Sequence, residues 1–183
     1  MPYESFTRAR LIAALRRLAE LAAEAGIVLE LSLYGGAVFT LVYGSRESTR
    51  DVDGIIRPGA EGSRLARRVA EEQDLPADWL SGDVAQFLAH REEKRRVLEG
   101  DFGTALRVTA PTAAYLLALK LRASRPRLPG YLGDEGDIEF LLRKIQPRSL
   151  GEVEELYARF FPHDVLPDRS RGLVRRVIEE TKS

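Results

Sequence analysis

Two aspartates one residue apart, Asp51 and Asp53, open an apolar strand-like run that ends at Ile56. Strand side chains alternate, so both carboxylates fall on one face. Side by side they repel each other. A bridging divalent cation removes that repulsion, and hard oxygen ligands of this kind suit Mg²⁺ or Mn²⁺. Upstream, Gly35 and Gly36 close a first strand-like run, Val28–Tyr34, and lead into a short apolar helix, Ala37–Tyr43. A glycine pair at such a turn brings backbone N–H groups close to a phosphate. Metal carboxylates beside a phosphate cradle point to a nucleoside triphosphate. Ser45 and Arg46 follow the short helix. A guanidinium matches phosphate geometry, although an ion pair with a nearby acid explains Arg46 equally well.

The order strand, Gly-Gly, helix, Asp-x-Asp resembles the DNA polymerase β-like nucleotidyltransferase superfamily. Within that superfamily, Arg46-Glu47-Ser48-Thr49-Arg50-Asp51-Val52-Asp53 resembles the R-x-S-T-x-D-x-D run of AbiEii/MenT-type minimal nucleotidyltransferases, toxins of bacterial toxin–antitoxin pairs. The spacer from Gly36 to Asp51 is slightly long for the superfamily, and Gly54 stands where a hydrophobic residue is usual.

A second stretch carries the same resemblance. Lys120, Leu121, Ala123 and Arg125, followed by Asp134 and Asp137, are similar to the K-L-x-A-x-R helix and D-x-x-D-hydrophobic helix start of that family. Taken alone, Lys120 is a cation inside the apolar run AAYLLALKL. Such a lysine is costly unless it is paired, faces a cleft or snorkels to the helix edge. Asp134 alone reads as a helix N-cap. The resemblance implies that Lys120 and one of Asp134 and Asp137 belong to an active site, and leaves open which. It further implies transfer of a nucleoside monophosphate from an NTP to the 3′ end of a tRNA, translation arrest and a cognate antitoxin protein. Asp51 and Asp53 would then hold the metal, with Gly35, Gly36, Ser45, Arg46 and Lys120 on the nucleotide. Arg122, Arg125 and Arg127, in the same motif as Lys120, are the candidates for RNA phosphates.

Other residues offer less. Many polymerase β-like enzymes carry a third metal carboxylate on a later strand. The candidate strand here, Ala105–Val108, offers Arg107, and Asp101 lies in a glycine-flanked loop. That pattern fits the AbiEii/MenT type better than a three-carboxylate polymerase site. His90 and His163 have no partner spacing, and Trp79 reads as a packing anchor. Two other functions compete with transfer to RNA: transfer to a small molecule or a protein, and a catalytically silent module on the same fold that binds a partner. Intact Asp51 and Asp53 argue against the silent module.

These residues need a scaffold, and 183 residues suffice for one domain or one with a helical extension. The 28 basic and 28 acidic residues balance, so net charge neither supports nor excludes a nucleic-acid partner. With no cysteine, disulfide and thiol chemistry are excluded. The N-terminus lacks a signal-type apolar core and no run approaches a membrane span, so a cytoplasmic location with no membrane partner is expected. Helical periodicity runs from Thr7 to Ala25. Ser63 can cap a helix over Arg64–Gln73, and the charged stretch Gly82–Leu98 reads as helical. Thr112 can cap a helix over Ala113–Ala123, and Arg125–Tyr131 reads as a loop. Helices fit Asp134–Ile145, Leu150–Phe160 and Pro167–Lys182. The expectation is an α+β chain: a polymerase β-like nucleotidyltransferase core with a small mixed sheet over residues 1–111, then a helical C-terminal half over 112–183 that completes the active site.

Overall fold

Leu11, Leu15, Leu18 and Ala22 share one helix face, and in the computed structural model that face is buried along α1 (Arg8–Glu24). The model describes residues 5–124 and 133–182. Thr7 caps α1 by accepting the Arg10 N–H at 3.3 Å. The architecture is α+β. Among the described residues there are seven α-helices, a mixed five-stranded sheet and a two-stranded sheet. The described residues fall into two compact units: the first runs to Gln86 and resumes over Lys94–Ala110, and the second takes Phe87–Glu93 and the chain from Pro111 onward.

In the first unit, β1 (Phe6–Thr7) pairs with β3 (Ser48–Thr49) in the small sheet. The larger sheet is built from β2 (Leu29–Leu33), β4 (Val52–Arg57), β5 (Leu80–Ser81), β6 (Lys94–Arg96) and β7 (Leu106–Pro111), in the order β5-β4-β2-β7-β6. Central β2 runs antiparallel to β4 and parallel to β7. Alternation divides the sheet. Leu29, Leu31 and Leu33 are buried together with Val52, Gly54, Leu106 and Val108. The other face carries Glu30, Ser32, Asp53, Ile55, Arg57, Arg107 and Thr109, all partly or fully exposed. Helix α3 (Gly59–Gln73) comes close to β4 because Gly62 leaves room for Ile56; a Cβ there would lie 2.7 Å from Ile56. Helix α3 starts five residues before the expected Arg64, with Pro58 rather than Ser63 at its N-cap.

The segment expected to be one charged helix, Gly82–Leu98, is not one. It holds a short 3₁₀ turn over Asp83–Phe87, then irregular chain with a bend at His90–Arg91, then edge strand β6. The reason is visible in the residues: from His90 to Arg96 none is apolar, so a helix there would have no face to bury. Pairing wins instead, and the Val97 N–H donates to the Val108 carbonyl at 3.0 Å.

The second unit is helical: α4 (Ala113–Ala123), α5 (Glu135–Ile145), α6 (Leu150–Phe160) and α7 (Asp168–Lys182). Thr112 caps α4 and Ser149 caps α6, each hydroxyl accepting a first-turn N–H. Tyr115 and Phe160 stack at 4.8 Å in the core, and the Tyr115 hydroxyl accepts the Ala89 N–H at 3.0 Å. Among the described residues no helix is long and apolar enough to cross a membrane.

Candidate functional site

The first unit gathers its candidate residues around one turn. Strand β2 ends at Leu33, and the Tyr34 N–H donates to the Asp53 carbonyl at 2.9 Å, which locks the turn to β4. Gly35 takes φ +57° and opens α2 (Gly35–Val38). The helix then widens into a π turn over Phe39–Tyr43, a rare form often found beside functional sites, and stops at Gly44 with φ +63°. A Cβ on Gly35 would overlap the Asp53 carboxylate. A Cβ on Gly36 would overlap the Thr49 hydroxyl and lie 3.5 Å from the Arg46 guanidinium. Both glycines are therefore required by close approach, and Gly35 also by its backbone angle.

Asp51 is exposed and precedes β4, whereas Asp53 is half-buried within it. The Thr49 hydroxyl donates to the Asp51 carbonyl at 3.0 Å and so fixes the approach to the strand. Thr49 is itself 7% exposed. The sequence signal for Thr49 is its place in the R-x-S-T-x-D-x-D run, two residues before Asp51. The Arg46 guanidinium stacks over the Phe39 ring at 5.6 Å, while Ser45 is exposed and its N–H donates to the Phe39 carbonyl at 3.1 Å. Gly54, unusual against the superfamily pattern, fills a packing need: a Cβ would lie 2.8 Å from Leu80 and 2.9 Å from Leu31.

Asp51 and Asp53 offer hard oxygen donors of the kind Mg²⁺ takes, and the Asp53 carboxylate packs directly against the Gly35 backbone. Among the described residues no group of three or more His, Cys, Asp or Glu side chains is placed to hold a metal. Arg107 of β7 pairs with Glu30 at 3.4 Å, and Asp101 is exposed.

In the second unit, Lys120 projects from α4 and its ammonium lies 2.8 Å from an oxygen of Asp134 and 2.8 Å from an oxygen of Asp137. The two aspartates are 1% and 4% exposed. Both Asp134 and Asp137 engage the lysine. Asp134 makes no side-chain capping bond to α5; its carboxylate is turned to Lys120 instead. A half-buried cation between two buried carboxylates is a costly arrangement that depends on all its members being present.

Arg122 is committed within its own unit. It pairs with Asp164 at 3.1 Å, donates to the Phe87 carbonyl at 3.3 Å and stacks over Phe161 at 4.5 Å. Arg125 and Arg127 lie outside the described residues. Other basic groups pair with acids, as in Arg68 with Glu72 and Arg176 with Glu139. Trp79 is buried, its indole N–H donating to the Ala66 carbonyl at 2.9 Å, and His90 and His163 are exposed.

Compared with known protein families, characterised proteins and solved structures, the chain gives no significant match to any of them.

Proposed function

We propose that this protein is a metal-dependent nucleotidyltransferase that moves a nucleoside monophosphate from an NTP to an acceptor hydroxyl. The observation that carries the reading is the juxtaposition of Gly35 with the Asp53 carboxylate, where no side chain fits between turn and acid. Asp51 and Asp53 are the residues that would hold Mg²⁺, which supplies charge neutralisation at the α-phosphate. The Gly35–Gly36 turn, pressed against Asp53, would offer backbone N–H groups to the phosphate chain, and Arg46 a planar cation. Thr49 keeps the Asp51 backbone in place. Lys120, held in orientation by Asp134 and Asp137 within its own unit, is assigned from its motif alone to a phosphate or the attacking hydroxyl. Pyrophosphate leaves.

The acceptor is proposed to be an RNA hydroxyl, specifically a tRNA 3′ end, and the biological role that of a toxin neutralised by a partner protein. These finer points rest on the motifs around Asp51 and Lys120. Incubation with each labelled NTP, Mg²⁺ and total RNA, followed by a gel, tests them together. Label moving with tRNA-sized RNA supports the reading. Label moving only into a small molecule or protein replaces the acceptor, and no label transfer with any NTP removes the enzyme assignment.

A further inference from the structure

The non-helical path of residues 88–98 has a chemical consequence. It puts Lys94 on the edge strand of the larger sheet, beside β7. The Lys94 side chain folds back over the sheet, and its ammonium donates to the Ser32 hydroxyl of central β2 at 3.2 Å. Ser32 and Thr109 of β7 share a hydrogen bond at 2.9 Å. These two hydroxyls carry two O–H groups and use one between them, so one O–H donor remains for this patch.

Register places the patch relative to Asp53. Ser32 stands opposite Ile55 on β4, and Asp53 is two residues back from Ile55 on the same face. Tyr34, opposite Asp53, is two residues beyond Ser32, a step of roughly 7 Å along the strand. The Arg46 guanidinium lies just past Tyr34, at the Gly36 turn. In chain order along β2, Ser32 with the Lys94 ammonium comes first, then the Tyr34–Asp53 pair, then the glycine turn beside Arg46. The bland role for Lys94 is a charge that keeps an edge strand from pairing with other chains. That role asks the ammonium to point outward into water. Here it is drawn inward across β7 instead, to a hydroxyl two strands away.

We infer that Lys94, positioned by Ser32 and Thr109, binds a phosphate of the nucleotide's triphosphate chain on the Asp53 face of the sheet. The inference deepens the nucleotidyltransferase reading and rests on it for the identity of the ligand. A polyphosphate reaching from the glycine turn past Asp53 meets a cation at each end, which offsets charge that one divalent ion and Arg46 leave uncompensated.

The test is calorimetric titration of the full chain, with Mg²⁺, using inorganic tripolyphosphate and each NTP in turn. The variants are Lys94→Met, Lys94→Arg and the pair Ser32→Ala with Thr109→Val. Lys94 is exposed, so Lys94→Met is expected to fold. The expected result is about a tenfold loss of tripolyphosphate affinity in Lys94→Met, consistent with one charge-assisted hydrogen bond, and near-complete retention in Lys94→Arg. The hydroxyl pair should lose about threefold through poorer positioning. Unchanged binding in Lys94→Met, with wild type binding normally, overturns the inference, leaves Lys94 an edge charge only and spares the transferase reading. Lys94-dependent tripolyphosphate binding without label transfer from any NTP upholds the inference and removes the transferase reading. Absence of wild-type binding to both tripolyphosphate and every NTP overturns both.

Discussion

Around Asp53 the chain makes room by omitting side chains; around Lys120 it fills space with charge against charge. The first region has glycines at 35 and 36, an exposed Asp51 and a half-buried Asp53. Asp51 keeps its water and Asp53 part of it, so repulsion between them is screened. The second region has two carboxylates almost wholly buried against one ammonium. Each group there has lost most of its water and depends on its partners. The comparison separates two arrangements: one in which glycines let a turn press against a carboxylate, and one in which buried charges depend on one another.

The largest effect should come from the acids of the first region. Asp53→Ala, and Asp51→Ala, should each lower nucleotide transfer at least about a thousandfold, as expected for loss of a metal ligand. Urea unfolding of the same variants should shift by less than ~1 kcal/mol, because Asp51 is exposed and Asp53 only half-buried. Full transfer by both variants, or transfer undiminished by EDTA, would sink the two-carboxylate assignment.

Lys120→Met should behave in the opposite way. Considered only as one cation in an apolar helix, Lys120 could be replaced by Met without harm. With two buried carboxylates left uncompensated, the replacement should instead cost about 3–5 kcal/mol in urea unfolding. Adding Asp134→Asn and Asp137→Asn should return most of that loss without returning activity. A Lys120→Met variant as stable as wild type would show that the three groups do not depend on one another for folding.

Two glycines sharpen the contrast at smaller magnitude. Gly36→Ala should cost roughly 1–3 kcal/mol and weaken NTP binding, since its Cβ meets Thr49. Gly136→Ala, in the first turn of α5, meets nothing within 4 Å and should be neutral or stabilising by up to ~1 kcal/mol. Thermal melts of the two variants, run with and without NTP, check both statements; equal behaviour would mean that close approach is not what fixes Gly36.

The smallest effect is an alkaline one. Burial pushes the Tyr115 phenol up to about 12 from its ordinary value of 10.0, with the Ala89 N–H acting weakly the other way. Between those values the unfolded chain releases a proton that the folded chain keeps, so stability falls as pH rises from 10 towards 12. Unfolding midpoints of Tyr115→Phe across that range should decline less steeply than those of wild type. Parallel slopes would remove Tyr115 as the cause.

Much of this was legible in the residues. Thr112 followed by AAYLLALKL marks α4 because the cap and the apolar run are both local signals. The Gly35–Gly36 turn and the Asp51–Asp53 alternation were equally local, needing only strand parity and backbone freedom. What failed was local reasoning about Gly82–Leu98, where good helix formers sit without an apolar face and the backbone of β7 offers better partners. The two-residue strands β1 and β3 have no sequence signal, because they exist only through each other. Sequence alone therefore named the acids, the turn and the lysine, since those follow from residue type and short spacing. Only tertiary structure could press Gly35 against Asp53, join Lys120 to both Asp134 and Asp137, and draw Lys94 across to Ser32. Each of those contacts joins residues that are distant in the chain, and a hydrogen bond or an overlap is decided by positions in space.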